Sequence, residues 1–197
     1  MLFPPQRDCV IIPNMKARRS AIALIACGSV LAAITSPSWA AGSHYLDNDS
    51  VDCTGSSCEI RFESYSQYHG ARGYAREAWN ALGSVNIAPD GAGSVADLEV
   101  RDYNDCTTGA YDAFWRHRSG ADLINVNVCK FKDLSDRTRK EVMVHEFGHA
   151  LRLAHHPGDN PSGTYWKSRS VMWPWTRDRD LLDPSSHDKD DFRGMWG

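Results

Sequence analysis

The chain has 197 residues, of which 42% are hydrophobic, 10% aromatic and 24% charged. This composition is typical of a globular protein with one substantial core, and it excludes a collagen-like or low-complexity chain. The formal net charge of −3 also argues against a nucleic-acid-binding protein, which usually carries a basic excess.

The first 40 residues have the pattern of a secretory signal peptide. A basic region that includes Lys16 and Arg18 precedes an apolar stretch at 21–34, and small residues end the segment at Ala40. The apolar stretch is shorter than the roughly 20 residues of a membrane span. We therefore expect cleavage after Ala40, secretion to the extracellular space and no membrane span.

Two details of this leader are open to other interpretations. Residues 1–14 lack signal-peptide character, which suggests that translation begins at Met15. Cys27 follows Leu-Ile-Ala, as in a lipoprotein signal, so lipid anchoring at Cys27 is the weaker alternative to full secretion.

The part of the chain that follows the leader contains an even number of cysteines. In an exported protein such a set predicts two disulfides, and a four-cysteine zinc site is disfavoured because its paired short spacings are missing. Four cysteines allow three pairings. The pairing that keeps both bridges local joins Cys53 to Cys58 and Cys106 to Cys129.

Alternation of polar and apolar residues predicts strands, and apolar residues at helical spacing predict helices. In chain order we expect a strand at 59–63, a helix at 70–82, short strands at 85–87 and 97–100, and a strand at 123–128. A second helix follows, with Ser135 as its N-cap and with Met143, Phe147, Ala150 and Ala154 on one apolar stripe.

The second predicted helix contains His145-Glu146-Phe147-Gly148-His149, an HExxH pattern. Because residues four apart lie one turn above another on the same face, both imidazoles can bind one ion at about 2.0–2.1 Å. Glu146 is placed to accept a proton from a water molecule on that ion. A catalytic zinc ion needs a third protein ligand, and His155 follows six residues after His149.

The segment from His145 to His155 resembles the extended zinc signature of the metzincin peptidases, in particular the matrixin-like ones. Two further segments are similar to parts of that family. Ser170-Val171-Met172-Trp173-Pro174 resembles its methionine-containing turn, and residues 190–197 resemble the short helix that ends its catalytic domain.

The resemblance implies a fold and a domain organisation. The expected fold is α+β, with a twisted, mixed and mostly parallel sheet packed on helices and a cleft between an upper and a smaller lower subdomain. The catalytic domain is expected at 58–197, after the signal peptide at 1–40 and an N-terminal segment at 41–57.

The resemblance also implies a secreted zinc-dependent endopeptidase that acts on protein or peptide substrates, and we expect it to be a monomer. It assigns one catalytic zinc ion to His145, His149 and His155, the general base to Glu146, the floor of the site to Met172, and a substrate pocket to Trp173, Pro174 and Trp175.

One residue departs from the family pattern. Arg152 stands where the family has a glycine, at the point where the helix ends and the chain turns back. A non-glycine residue at positive φ costs on the order of 1–2 kcal/mol. Either Arg152 adopts the strained turn, or the helix ends differently and His156 replaces His155 as the third ligand. The family spacing favours His155.

The remaining candidate residues have weaker support. His44, His69, His117 and His187 are expected to be ordinary surface or core histidines. An acidic cluster near the C-terminus is expected to be a solvated surface rather than a calcium site, because its spacing fits no calcium-binding loop. Its members are Asp178, Asp180, Asp183, Asp188, Asp190 and Asp191.

The sequence leaves two other functions open. One is a secreted zinc hydrolase with a narrow or non-protein substrate. The other is a secreted binding protein that retains zinc without turnover, for which Arg152 is the indication.

Overall fold

The computed structural model of the protein describes residues 44–55, 57–92, 95–156, 169–175 and 181–197. The predicted signal peptide, the start at Met15 and the lipid-anchoring alternative at Cys27 lie outside these residues. Asp178 and Asp180 of the acidic cluster also lie outside them.

Six strands and four helices form in the described part of the chain. The strands are β1 (Asp52–Thr54), β2 (Ser57–Ser64), β3 (Val85–Pro89), β4 (Leu98–Tyr103), β5 (Ala113–Arg116) and β6 (Asp122–Asn127). The helices are α1 (His69–Asn80), α2 (Val128–Phe131), α3 (Asp136–Ala150) and α4 (Ser186–Trp196).

The strands form one mixed sheet whose centre is parallel. β2, β4 and β6 pair in parallel in that order, and β3 pairs in parallel with the opposite side of β2. β5 runs antiparallel to β6 at the far edge, and β1 runs antiparallel to the start of β2. The expected α+β fold with a mixed, mostly parallel sheet is therefore confirmed.

Aromatic side chains join α3 to the sheet and to α1. Phe62 of β2 meets Phe147 of α3 edge to face, with ring centroids 6.2 Å apart. Trp79 of α1 is fully buried, and its Nε1 donates a hydrogen bond to the carbonyl oxygen of Val144 in α3 at 2.9 Å. The helix that contains the HExxH pattern is thus held by apolar packing and by a buried hydrogen bond.

Most predicted elements form close to their expected positions. Ser135 caps α3 as predicted, since its side-chain oxygen accepts a hydrogen bond from the backbone N–H of Thr138. α3 ends at Ala150, so Ala154 of the predicted apolar stripe lies beyond the helix. β5 was not predicted, because a strand of four residues is too short to show a clear alternation.

Two disulfides form with the local pairing that the sequence favours. Cys53–Cys58 links β1 to β2, and Cys106–Cys129 links the segment after β4 to α2. Disulfides persist in oxidising compartments such as the extracellular space, so both bridges fit such an environment. None of the helices in the described ranges is both long enough and apolar enough to cross a membrane.

Candidate metal centre and active-site cleft

Three predicted ligands converge on one point. His145 and His149 lie one turn apart on α3, and His155 approaches them from the segment after the helix. The Nε2 atom of His145 lies 3.0 Å from that of His155, and the Nε2 atom of His149 lies 3.1 Å from each of the others. Nitrogen ligands of a tetrahedral zinc ion are roughly 3.3 Å apart, so this triangle is close to the size that one small metal ion requires.

The second ring nitrogens of two of these histidines identify their tautomers. Nδ1 of His145 lies 2.9 Å from the carbonyl oxygen of Val171, and Nδ1 of His149 lies 2.8 Å from that of Leu153. A carbonyl oxygen only accepts, so each Nδ1 carries a proton, and in the neutral ring each Nε2 then presents a lone pair to the triangle. Lone pairs that face one another at this distance are stabilised by a cation, and a carbonyl behind the ring is the usual support of a metal-binding histidine. The three residues can therefore hold a metal ion.

Arg152 occupies the turn that brings His155 back to the helix. It adopts the left-handed conformation with φ 77°. Its backbone N–H donates to the carbonyl oxygen of His149, and the N–H of Leu153 donates to that of Gly148, both at 2.9 Å. These two bonds define a Schellman motif, in which the residue after the C-cap has a positive φ. Of the two geometries that the sequence leaves open, Arg152 adopts the strained turn.

The side chain of Arg152 gives this turn a support that glycine lacks. Its Nε donates a hydrogen bond to the carbonyl oxygen of Leu46 at 3.0 Å, and the N–H of Leu46 donates to the Arg152 carbonyl oxygen at 2.8 Å. The guanidinium also lies 3.9 Å from the carboxylate of Asp49. These contacts attach the N-terminal segment to the turn and offset part of the cost of the positive φ.

Glu146 lies beside the histidines and is held by the edge strand. The residue is 4% exposed, and its Oε2 accepts a hydrogen bond from the backbone N–H of Trp115 at 2.7 Å. Trp115 belongs to β5, so this N–H points away from β6. Because strand residues alternate in direction, the N–H and carbonyl groups of Ala113 point the same way.

The three histidines and Glu146 line a cleft of about 570 Å³. Its other lining residues are Tyr111, Asp112, Ala113, Phe114, Trp115, Val142, Pro174 and Trp175. Trp175 is 48% exposed, whereas Trp173 is only 3% exposed and does not line the cleft. Two of the three predicted pocket residues therefore reach the site, and the third packs in the interior.

Met172 packs against α3 directly beside the HExxH residues. A Cβ atom built on Gly148 would overlap the Met172 sulfur and would lie 3.1 Å from its Cε atom and 3.2 Å from Cζ2 of Trp79. Glycine at this position therefore makes room for the methionine. The sequence contains no signal for this role, because the contact joins residues 24 positions apart.

Asp188 of α4 holds the turn that contains Met172. It is fully buried, and its carboxylate accepts hydrogen bonds from the Ser170 hydroxyl at 2.5 Å and from the Val171 N–H at 2.9 Å. The carbonyl oxygen of Val171 supports Nδ1 of His145. Asp188 is thus a positioning residue for the histidine triad.

The surroundings of Asp188 favour its charged form. Burial by itself raises the pKa of Asp188, but the His156 imidazole, the Ser170 hydroxyl and the backbone N–H groups of Val171 and Ser185 together lower that pKa below its ordinary value. The expectation that the acidic cluster forms a solvated surface is therefore wrong for this residue.

The other described acidic residues differ in their surroundings. Asp183 accepts a hydrogen bond from the Tyr74 hydroxyl at 2.6 Å. The Asp190 side chain is 75% exposed, as expected of a solvated surface, whereas that of Asp191 is 13% exposed.

His156, the alternative third ligand, lies outside the triangle of Nε2 atoms. It is 1% exposed, and its ring packs against the rings of His44 and His187. His69 and His117 are exposed. His44 and His187 were expected to be ordinary histidines, but the structure groups them with His156.

No protein-family model matches this chain, and no curated protein is similar enough to it to count as a relative. The interpretation of the site therefore depends on its own geometry. That geometry comprises three converging imidazoles, an adjacent carboxylate, and a cleft bordered by an edge strand.

Proposed function

We propose that this protein is a secreted zinc-dependent endopeptidase of the metzincin type, with a matrixin-like catalytic domain. The observation that supports this best is the triangle of Nε2 atoms from His145, His149 and His155 beside the carboxylate of Glu146. Three protein ligands leave one coordination position for water or substrate, which distinguishes a catalytic zinc site from a structural one.

Glu146 is the general base of the proposed reaction. When bound, zinc supplies a Lewis acid that polarises a carbonyl group and makes a water molecule acidic near neutral pH. The Glu146 carboxylate accepts a proton from the attacking water and then donates it to the amine of the leaving peptide. The hydrogen bond from Trp115 keeps this carboxylate against β5, where a substrate bound along the strand would meet it.

An extended peptide fits the cleft through its main chain. Ala113 presents an N–H and a carbonyl group on the cleft side of β5, and an extended chain can pair with such an edge by β-augmentation. Pro174 and Trp175 supply apolar surface for a substrate side chain. Recognition through backbone groups suits a protein substrate better than a small non-protein one.

The alternative of an inactive binding protein depends on Arg152. This residue adopts the left-handed turn that the family glycine would adopt, and His155 remains 3.0 Å from the Nε2 atom of His145. Its presence therefore gives no reason to expect an incomplete site.

Casein hydrolysis with and without a chelator tests the proposed function. We expect activity that is lost with the chelator and restored by zinc, and His149→Ala should lose both activity and one equivalent of zinc. His117→Ala is the control, because this exposed histidine is not among the residues that line the cleft. Undiminished hydrolysis in the chelator, or full zinc content in His149→Ala, would reject the proposal.

A further inference from the structure

We propose that a second metal ion binds between the N-terminal segment and α4, held by His44, His156, His187 and Asp191. Each of these residues offers one ligand atom, and the four atoms lie within 4.8 Å of one another. The group shares no residue with the triad of the candidate active site.

Three distances within this group are close to those between the ligands of one metal ion. Nδ1 of His44 lies 3.3 Å from Oδ2 of Asp191, and Nε2 of His187 lies 3.6 Å from the same oxygen. Nε2 of His187 is also 3.3 Å from Nδ1 of His156. Two ligands of one tetrahedral zinc ion are roughly 3.3 Å apart, so three of the pairs already have nearly the required separation.

The three imidazole rings of the group converge nearly as closely as those of the triad. Their ring centroids are 4.4–5.4 Å apart, compared with 4.6–5.0 Å among the active-site histidines. His187 and Asp191 are four residues apart on α4, so they lie on one face of the helix, as His145 and His149 do on α3.

The group also buries polar atoms that a cation would stabilise. Oδ2 of Asp191 is buried and accepts no hydrogen bond from any of the residues that the structure describes. The nearest nitrogen atoms, Nδ1 of His44 and Nε2 of His187, lie 3.3 and 3.6 Å from this oxygen, and a divalent cation among the three groups would neutralise the buried carboxylate.

The composition of the group indicates a zinc-like ion with a structural role. Imidazole and carboxylate ligands suit zinc, and four protein ligands close its coordination sphere, unlike the open triad. The ion would fasten three segments that are distant in sequence: the N-terminal segment, the chain after the triad and α4. Because Asp188 on the same helix holds the turn beneath the triad, this fastening would stabilise the active site without taking part in the reaction.

Metal counting on the purified mature protein tests this proposal. After removal of metal and titration with Zn²⁺, we expect two ions per wild-type molecule and one each in His44→Ala, His187→Ala and His149→Ala. The double variant His44→Ala/His149→Ala should bind none, and His117→Ala should bind two. Wild-type metal content in both His44→Ala and His187→Ala would overturn the second site.

The same counts separate this proposal from the proposed function. One ion in the wild type that is lost only in His149→Ala rejects the second site and leaves the peptidase proposal intact. One ion that is lost only in His44→Ala and His187→Ala supports the second site and rejects the catalytic one.

Thermal unfolding provides a readout that does not depend on activity. In His149→Ala, added Zn²⁺ should raise the unfolding temperature, because an ion that binds only the folded state stabilises it. The additional change His44→Ala should abolish this rise. His44 lies in the N-terminal segment outside the strands and helices, so its replacement tests the site with little disturbance of the core. An equal rise in both variants would contradict the proposal.

Discussion

Gly148 and Met172 pack so closely that any side chain on Gly148 would collide with the methionine sulfur. This contact joins the HExxH helix to the turn whose Val171 carbonyl accepts a hydrogen bond from His145. Gly148 is therefore part of the support of the candidate metal centre.

Replacing Gly148 with alanine should destabilise the protein by about 1–3 kcal/mol, the usual cost of overpacking a core. The matched control is Gly73→Ala in α1, where a new Cβ meets no atom within 4 Å. Because alanine has a higher helix propensity than glycine, this substitution should stabilise the protein by up to about 1 kcal/mol. Chemical denaturation measures both changes. If Gly148→Ala lowers the free energy of unfolding as much in a Met172→Ala background as in the wild type, the collision with Met172 does not cause the destabilisation.

Glu146→Gln should retain zinc and lose at least about a hundredfold in peptidase activity, because the amide cannot act as a base. Its oxygen can still accept the hydrogen bond from the Trp115 N–H, so the local structure should persist. Glu141→Gln makes the same chemical change at another buried position of α3, outside the cleft lining. Near-normal activity of Glu146→Gln, or an equal loss in Glu141→Gln, would contradict the assigned role.

Arg152→Ala and Arg152→Gly separate two opposing effects of Arg152 on stability: the cost of its positive φ and the gain from its side-chain hydrogen bond. Arg152→Ala keeps the positive φ and loses the side-chain hydrogen bond to Leu46, so we expect it to be less stable than wild type by about 1 kcal/mol. Arg152→Gly loses the same bond but relaxes the backbone, which should bring it within about 0.5 kcal/mol of wild type. Denaturation curves of the zinc-loaded variants measure both values, and equal stability of the two variants would show that the turn is unstrained.

Asp188→Asn should lower stability at neutral pH by about 1–3 kcal/mol, because the charged carboxylate accepts buried hydrogen bonds that an amide only partly replaces. The pKa of Asp188 is lowered from 3.8 in the folded state. The charged Asp188 therefore makes its full contribution to stability above about pH 3.8, and this contribution is lost as the pH falls through the lower pKa of the folded state.

The difference in stability between Asp188→Asn and the wild type should therefore become smaller as the pH falls. Denaturation between pH 7 and pH 2 in the presence of a chelator measures it without a contribution from metal release. Asp190→Asn is the control, since this side chain is exposed on the same helix. A deficit that stays constant down to the lowest pH would contradict the lowered pKa.

Peptide substrates with single N-methyl groups test the proposed pairing with β5. Because strand pairing uses alternate residues, methylation should reduce kcat/KM at least about tenfold at every second position near the cleaved bond, and much less at the positions between. An irregular or uniform pattern would argue against recognition through the backbone of Ala113. Steady-state kinetics with a matched series of peptides measures this pattern.

Local patterns in the sequence determined much of this protein. The one-turn spacing of His145 and His149, the cap at Ser135 and the alternation within β2 and β6 are visible because each is a contact or a periodicity between near neighbours in the chain. An even set of cysteines likewise predicted two disulfides, and the short loops they close made the local pairing the natural one.

The tertiary structure decided what depends on distant contacts. The sequence left His155 and His156 as alternatives, and the left-handed turn at Arg152 directs the first to the triad and the second to α4. The group of His44, His156, His187 and Asp191 is assembled from residues up to 147 positions apart. Periodicity and spacing describe only neighbours along the chain, whereas these juxtapositions arise when α4 and the N-terminal segment pack beside the end of α3.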